Sequence, residues 1–206
     1  MSDAYTLYSM QLSGNCYKIR LALHELGRPF RIIDVEKGSG VTASPEFLAL
    51  NPNAQVPLLI LPDGRPLAES GAMLIHLAEG TELIPSDSYE RALCFQWMFF
   101  EQYSHEPVIA VARNWLHLTP GGRQTMAHRL EEWQQKGNRV LGVMEGRLAV
   151  SPFFAGPRFS IADIALYAYT HAAEDADYDL AAYPAIRSWL DRVAERPRHV
   201  GIEWRP

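Results

Sequence analysis

The chain has 206 residues, 48% hydrophobic and 21% charged, which is the make-up of an ordinary soluble globular protein with enough material for one generous core or two modest ones. A formal net charge of -5, with Lys and Arg scattered rather than clustered, argues against nucleic acid as a partner and for a small ligand. The start Met1-Ser2-Asp3-Ala4 lacks the basic and apolar regions of a secretory leader and no window approaches a membrane span, so a cytoplasmic location without a membrane partner is the default. Cys16 and Cys94, far apart and outside any Cys-x-x-Cys pair, give no expectation of a disulfide or a metal site.

Residues 5–9 form a β-branched and aromatic run that reads as a strand. Ile19, Ala22, Leu23 and Leu26 then fall at helical spacing, with Gly27 as a stop. Residues 30–35 are a second strand, and the two-residue link Arg28-Pro29 permits only a direct return to the sheet, so a parallel β-α-β unit is expected. Ser44-Pro45-Glu46-Phe47 starts a short helix with Pro at its first position. Residues 56–61 and 65–68 flank Pro62-Asp63-Gly64 and read as an antiparallel hairpin; residues 70–79 close the unit as a helix. The order β-α-β-α-β-β-α is thioredoxin-like.

Residues 80–86 are a polar, Pro-containing connector beyond which strand signals nearly vanish, dividing the chain into an α/β domain at 1–80 and an all-helical domain at 87–206. Asp87 with Glu90 predicts a capping box opening a long helix through Trp97, Phe100 and Ile109, kinked where Pro107 follows Glu106. Thr119-Pro120-Gly121-Gly122 breaks it. A second long helix is expected over residues 123–148, interrupted only by single glycines of the kind that mark close helix packing. Ser160 and Asp163 form a further capping box, with Phe159 and Ile164 as its hydrophobic staple, opening a buried helix that runs to about residue 173. A last helix over residues 184–195 ends before Pro197.

Three places can carry chemistry. Ser13 lies between the first strand and the first helix, where unpaired amides and the helix dipole favour an anion; its hydroxyl can stabilise a thiolate there, while Ser13 or Asn15 can equally serve as a plain helix cap. In Asn51-Pro52-Asn53-Ala54-Gln55-Val56-Pro57, a cis proline turns the Val56 amide and carbonyl out of the sheet toward an extended peptide ligand; an ordinary loop is the alternative. Glu69-Ser70 opens the helix after the hairpin, offering a helix N-terminus to a carboxylate or simply an N-cap.

Taken together, Ser13, the Gln55-Val56-Pro57 turn, the Glu69-Ser70 pair and Ser160-x-x-Asp163 resemble, in order and spacing, the glutathione S-transferase family over essentially the whole chain. The Ser position is similar to that of theta, zeta and related bacterial members; the Tyr used by other classes sits earlier, near Tyr8 here. The resemblance implies glutathione as co-substrate, no metal, a homodimer formed partly through the Asp63-Gly64 surface, and a detoxification-type reaction with a small hydrophobic electrophile. It implies Ser13 as the hydrogen-bond donor to the glutathione sulfur and Val56 as the backbone partner of the cysteinyl unit beside a cis Pro57. Glu69 and Ser70 then hold the γ-glutamyl end, and Lys37 or Gln55 the glycyl carboxylate. Tyr103 and Arg113 become candidates for the electrophile side, against the plainer readings of core packing and an ion pair between Glu106 and Arg113. Two alternatives stand beside transfer: thiol-disulfide chemistry by Cys16, three residues past Ser13, and a glutathione-binding or regulatory protein without catalysis.

Overall fold

A computed structural model describes residues 4–206; Met1–Asp3, the start read for a leader, lie outside the described residues. Two compact units emerge: the chain up to Thr81 together with Pro197–Pro206, and Glu82–Arg196.

The first unit is built on a four-stranded mixed sheet. Strand β1 (Tyr5–Ser9) runs parallel to β2 (Phe30–Asp34), with Tyr5 opposite Phe30. On its other side β1 pairs antiparallel with β3 (Leu58–Ile60), Leu58 standing opposite Tyr8, and β3 pairs with β4 (Pro66–Leu67), giving the order β2-β1-β3-β4. Side chains alternate across β1, so Leu7 and Ser9 share one face and Tyr8 takes the other. Helix α1 (Gly14–Glu25) covers the Ser9 face, where Arg20 bonds the Ser9 hydroxyl at 2.7 Å. Helix α2 (Pro45–Leu50) meets the Tyr8 face through an edge-on contact of Phe47 with the Tyr8 ring. Ser44 caps α2 by accepting from the Phe47 amide, with Pro45 at the first helical position where its missing N–H costs nothing. Helix α3 (Ser70–Ala78) lies against α1.

The expected helical domain of 87–206 is shorter at its end than the sequence suggests, because residues 197–206 return to the first unit. Several contacts anchor them. The buried Tyr17 hydroxyl donates to the Val200 carbonyl at 2.7 Å, Arg20 donates to Ile202 at 2.8 Å, and Trp204 lies against the His24 and Phe30 rings. Tail residues after Pro197 have no helical periodicity of their own, so nothing local betrays where they bind.

In the second unit, helix α4 (Ser88–Phe100) starts at Asp87, whose carboxylate accepts from the Tyr89 and Glu90 amides. It continues through a π-helical turn, Glu101–His105, into α5 (Glu106–Leu116). The kink expected at Pro107 takes this form: proline cannot donate to the preceding turn, and the chain widens so that the Glu106 amide reaches the Glu101 carbonyl five residues back.

The helix predicted over 123–148 is corrected to one turn, α6 (Gly122–Thr125), a 3-10 turn at Ala127–Arg129, and α7 (Leu130–Leu148). Gly122 lies so close to the Trp115 carbonyl that a side chain there would collide, which folds this segment back on α5, and Met126 leaves helical geometry at φ -104° and ψ 17°. Of the α7 glycines, Gly137 does mark a close contact, since the ring of the buried Tyr178 occupies the space of its missing side chain.

Helix α8 (Ile161–Thr170) is buried along its whole length and opens with the expected capping box. The Asp163 carboxylate accepts from the Ser160 amide, the Phe154 amide and the Trp189 indole N–H at 2.9, 3.1 and 3.0 Å. Helix α9 (Pro184–Ala194) carries no side-chain cap on its own Tyr183; Glu145 of α7 supplies one by accepting from the Ala185 and Ile186 amides.

Two stability outcomes are expected. Gly137→Ala drives a methyl into the Tyr178 ring and costs about 1–3 kcal/mol in denaturant unfolding. Burial raises the Asp163 pKa from 3.8 to about 6, so the folded protein holds this proton more tightly than the unfolded chain and stability falls as pH rises through that window. Compared with Asp163→Asn, which does not titrate there, the wild type loses roughly 2–3 kcal/mol between pH 4 and pH 7; a flat or opposite difference refutes the assignment.

Candidate functional site

Ser13 stands where β1 gives way to α1. Its backbone is extended, at φ -74° and ψ 122°, its amide closes a turn on Met10, and its hydroxyl accepts from the Cys16 amide at 3.3 Å. It is therefore the N-cap of a 12-residue helix whose first turn carries no acidic side chain, and the helix dipole at this end is available to an anion. The sequence left the cap open between Ser13 and Asn15; it is Ser13.

The Val56–Pro57 peptide is cis. Because β3 begins only at Leu58, opposite Tyr8, this turn lies at the end of β1 from which α1 departs. Buried Asn51 braces the loop before it: its side-chain amide donates to the Gln55 carbonyl at 2.8 Å, and its side-chain oxygen accepts from the Asn53 amide at 3.1 Å. The Val56 amide and carbonyl take no part in a backbone hydrogen bond among the described residues. Gln55 itself is exposed, as is Lys37 in the loop after β2.

Glu69 has a left-handed φ of 66°, a conformation that costs a non-glycine residue of order 1 kcal/mol or more and clusters at functional sites. The turn it makes sets Ser70 at the first position of α3. The Ser70 hydroxyl, nearly buried, donates to the side-chain oxygen of Asn15 at 3.2 Å, and the same oxygen accepts from Lys18 Nζ at 2.7 Å. The starts of α1 and α3 are thereby tied together.

Cys16 is fully buried, its sulfur accepting from the Met10 amide at 3.3 Å. Burial pushes its thiol pKa up, against the opposing pull of bonds from Ser13 and the Met10 amide. Cys94 is likewise buried and its thiol raised. Tyr8 belongs to the strand and packs on Phe47. In the helical unit Tyr103 is 87% exposed on the π-helical turn, whereas Arg113 is only 4% exposed and donates to the Asp175 carboxylate at 2.9 Å. Among the described residues no group of three or more His, Cys, Asp or Glu could hold a metal ion, and no helix is long and apolar enough to cross a membrane.

Asn15 and Lys18 were missed as a pair, although a signal existed. In the run Cys16–Leu23, Lys18 and Arg20 are the only charges, and Lys18 follows Asn15 at the i,i+3 spacing that brings helix side chains together.

Models of two family domains match the sequence: Glutathione S-transferase, N-terminal domain, over residues 12–79, and Glutathione S-transferase, C-terminal domain, over residues 127–192. The Escherichia coli disulfide-bond oxidoreductase YfcG is 36% identical over 190 residues, covering 89% of this chain and 87% of that protein. A crystal structure of a possible glutathione S-transferase from Rhodopseudomonas palustris superposes with a TM-score of 0.95 at 49% identity, covering 98% of this chain and 99% of that one. A Burkholderia graminis glutathione transferase, with two glutathione molecules bound per subunit, superposes with a TM-score of 0.82 at 30% identity, covering 95% and 85% of the two chains.

With both thiols sealed, neither cysteine is available to a soluble disulfide reagent at neutral pH. Thiol titration is expected to show negligible reaction in the native protein and two rapid equivalents after denaturation. Fast native labelling of Cys16 contradicts its placement.

Proposed function

This chain belongs to the glutathione S-transferase family, and we propose that it binds glutathione at the start of α1 and lowers its thiol pKa with the Ser13 hydroxyl, so that the thiolate attacks an electrophilic small molecule. The observation that carries this reading is the placement of Ser13 as the cap of α1, beside the cis Val56–Pro57 turn. A sulfur anion there meets a hydroxyl donor and the positive end of a helix, both of which favour the charged form. Val56 supports the same reading by leaving its backbone groups to the cysteinyl unit, and Glu69 with Ser70 offers charge and helix amides to the γ-glutamyl end. Lys37 and Gln55, both exposed, are assigned to the glycyl carboxylate.

The thiol proton passes to solvent, and the thiolate forms a carbon–sulfur bond as the electrophile's leaving group departs or, in an addition, as its π-electron pair shifts to the neighbouring atom, which takes a proton from solvent. The helical domain supplies the electrophile side of this reading. Tyr103 is the accessible candidate there, while the ion pair of Arg113 with Asp175 favours a role in holding α5. A homodimer in the cytoplasm belongs to the same proposal, and the exposed Tyr89 and Phe99 rings of α4 are apolar surface of the kind a second copy covers.

The names of two relatives favour a second reading of the same activated sulfur: one is a disulfide-bond oxidoreductase, the other holds two glutathiones per subunit. Here the bound thiolate attacks a disulfide, forming a mixed disulfide while one substrate sulfur leaves as thiolate. A second glutathione thiolate then releases the other substrate sulfur and forms glutathione disulfide. Cys16 is not required, and its burial and raised pKa speak against the Cys16-dependent version of this chemistry.

Ser13→Ala and Cys16→Ala separate activation by Ser13, common to both readings, from the Cys16-dependent mechanism. Following the ultraviolet thiolate band of bound glutathione against pH, we expect a depressed pKa in the wild type that rises by about one unit or more in Ser13→Ala and stays depressed in Cys16→Ala. Turnover of a chlorinated aromatic and of a glutathione mixed disulfide is expected to fall about ten- to hundredfold in Ser13→Ala alone. A bound thiol that titrates as in free solution overturns activation by Ser13, and loss of disulfide turnover in Cys16→Ala alone restores the cysteine mechanism.

A further inference from the structure

Arg198 belongs to the returning C-terminal segment and is held at both of its ends. Its carbonyl accepts from the His24 ring Nδ1–H at 2.8 Å, and its guanidinium lies over Gly27, in the space a side chain there would fill. Gly27, with a φ of 62° and no Cβ, meets both demands of that position. Arg28, the next residue, is half-buried and equally fixed. It donates to the Tyr5 hydroxyl at 2.6 Å, and its guanidinium carbon stands 5.8 Å from the centre of the Tyr5 ring.

Among the described residues neither Arg28 nor Arg198 is ion-paired with a carboxylate, although the whole chain carries a net charge of -5. Glu25, the carboxylate closest to Arg28 in sequence, interacts with His199. Arg198 also makes a long bond, 3.5 Å, to the Glu25 carbonyl at the end of α1. Capping α1 in this way occupies one donor and leaves most of both guanidinium forks uncommitted.

Both arginines line one cavity of about 360 Å³, whose other walls include His24, the exposed Pro29 and the half-buried Phe30 ring. That is room for a small molecule carrying a ring. The negative end of the α1 dipole opposes an anion here, but it acts as only about half an elementary charge against two full ones. A single bidentate fork saturates a carboxylate. The three terminal oxygens and nearly double charge of a phosphate monoester engage two forks. Pro29 and Phe30 offer the apolar surface that a ring beside the phosphate would cover.

We infer that this cavity, between the end of α1, the Arg28-Pro29 link and Arg198, is a binding site for an aromatic phosphate monoester. Arg28 and Arg198 hold the phosphate, and Pro29 with Phe30 holds the ring. The 12 residues of α1 separate this site from Ser13 by about 18 Å, so it is distinct from the glutathione site and does not rest on that reading.

The test is calorimetric titration of the intact protein at low salt with 1-naphthyl phosphate, beside 1-naphthol, 1-naphthoate and inorganic phosphate. 1-Naphthyl phosphate is expected to bind with a Kd below about 1 mM, and about tenfold or more tighter than each of the other three. Arg198→Gln and Arg28→Gln each weaken it about tenfold or more. Arg198 is exposed, so its replacement tests the site even where Arg28→Gln disturbs the Tyr5 contact. Gly27→Ala keeps both charges but pushes the Arg198 guanidinium aside, and weakens binding about threefold or more. Saturating glutathione and Ser13→Ala leave the Kd unchanged.

A Kd above about 1 mM overturns the inference. So does binding that survives Arg198→Gln or is displaced by glutathione, since the ligand then lies elsewhere. Equal affinity for 1-naphthoate, for 1-naphthol or for inorganic phosphate refutes the ligand class, and wild-type affinity in Gly27→Ala reveals diffuse charge attraction in place of a built site. None of these outcomes bears on the glutathione reading, which stands or falls on the thiol pKa.

Discussion

The guanidinium of Arg20 holds the candidate site in place. It is sealed from solvent on the second turn of α1 and donates to the Ser9 hydroxyl at the end of β1, to the Gln11 carbonyl in the following loop, and to the Ile202 carbonyl in the C-terminal segment, all at 2.7–2.8 Å. A buried charge that loses its partners costs several kcal/mol, so these three segments are constrained to one arrangement. Burial lowers the pKa of this group, yet the fixed planar fork stays matched to three oxygens. The consequence reaches the site directly. Ser9 and Gln11 bracket Met10, whose carbonyl turns the chain into Ser13 and whose amide meets the Cys16 sulfur.

From that fixed point the first unit builds outward in two directions. Antiparallel pairing with β1 carries the cis Val56–Pro57 turn to the end of the strand, while Asn15 ties the start of α1 to the start of α3. Two helix N-termini are assembled with a turn in which Val56 makes no backbone hydrogen bond among the described residues. Two non-glycine residues here have left-handed φ, Ala54 in the loop before the turn and Glu69, whose strain is the cost of starting α3 where Ser70 meets Asn15. The helical unit solves a different problem, burying polar groups in an aromatic core. Asp163 gathers donors from Ser160, Phe154 and Trp189, and Glu145 caps the neighbouring helix α9. The price of the buried carboxylate is its raised pKa.

Most of the fold was legible because its signals are local. Strand β1, helix α1, the Pro45 helix and the Ser160 capping box each carry their cause within a few residues: a β-branched run, helical spacing, a proline at a helix start, a reciprocal hydrogen-bond pair. The long helix over 123–148 failed because its pattern contained no strong breaker. What broke it was the approach of Gly122 to the Trp115 backbone, a contact between segments. At Pro107 the sequence marked the disturbance correctly but not its shape, since a kink and a widened turn both answer a missing amide. Residues 197–206 were placed with the helices for want of any pattern; their binding to α1 depends on Tyr17 and Arg20, nearly two hundred residues away in the chain.

Sequence by itself determined which residue types make up the candidate site and their order along the chain, because caps, turns and helix starts are written in short motifs whose chemistry does not depend on distant partners. It also bounded the chemistry of the cysteines, since two isolated thiols make neither a disulfide frame nor a Cys-x-x-Cys pair. Only the tertiary structure decided that Cys16 is closed to solvent, that Ser13 rather than Asn15 caps α1, and that Asn15 instead joins Lys18 to Ser70. Burial and hydrogen bonds between elements arise when α1, α3 and the returning C-terminal segment close on one another. That closure is a property of three-dimensional packing, which no local stretch of the chain contains.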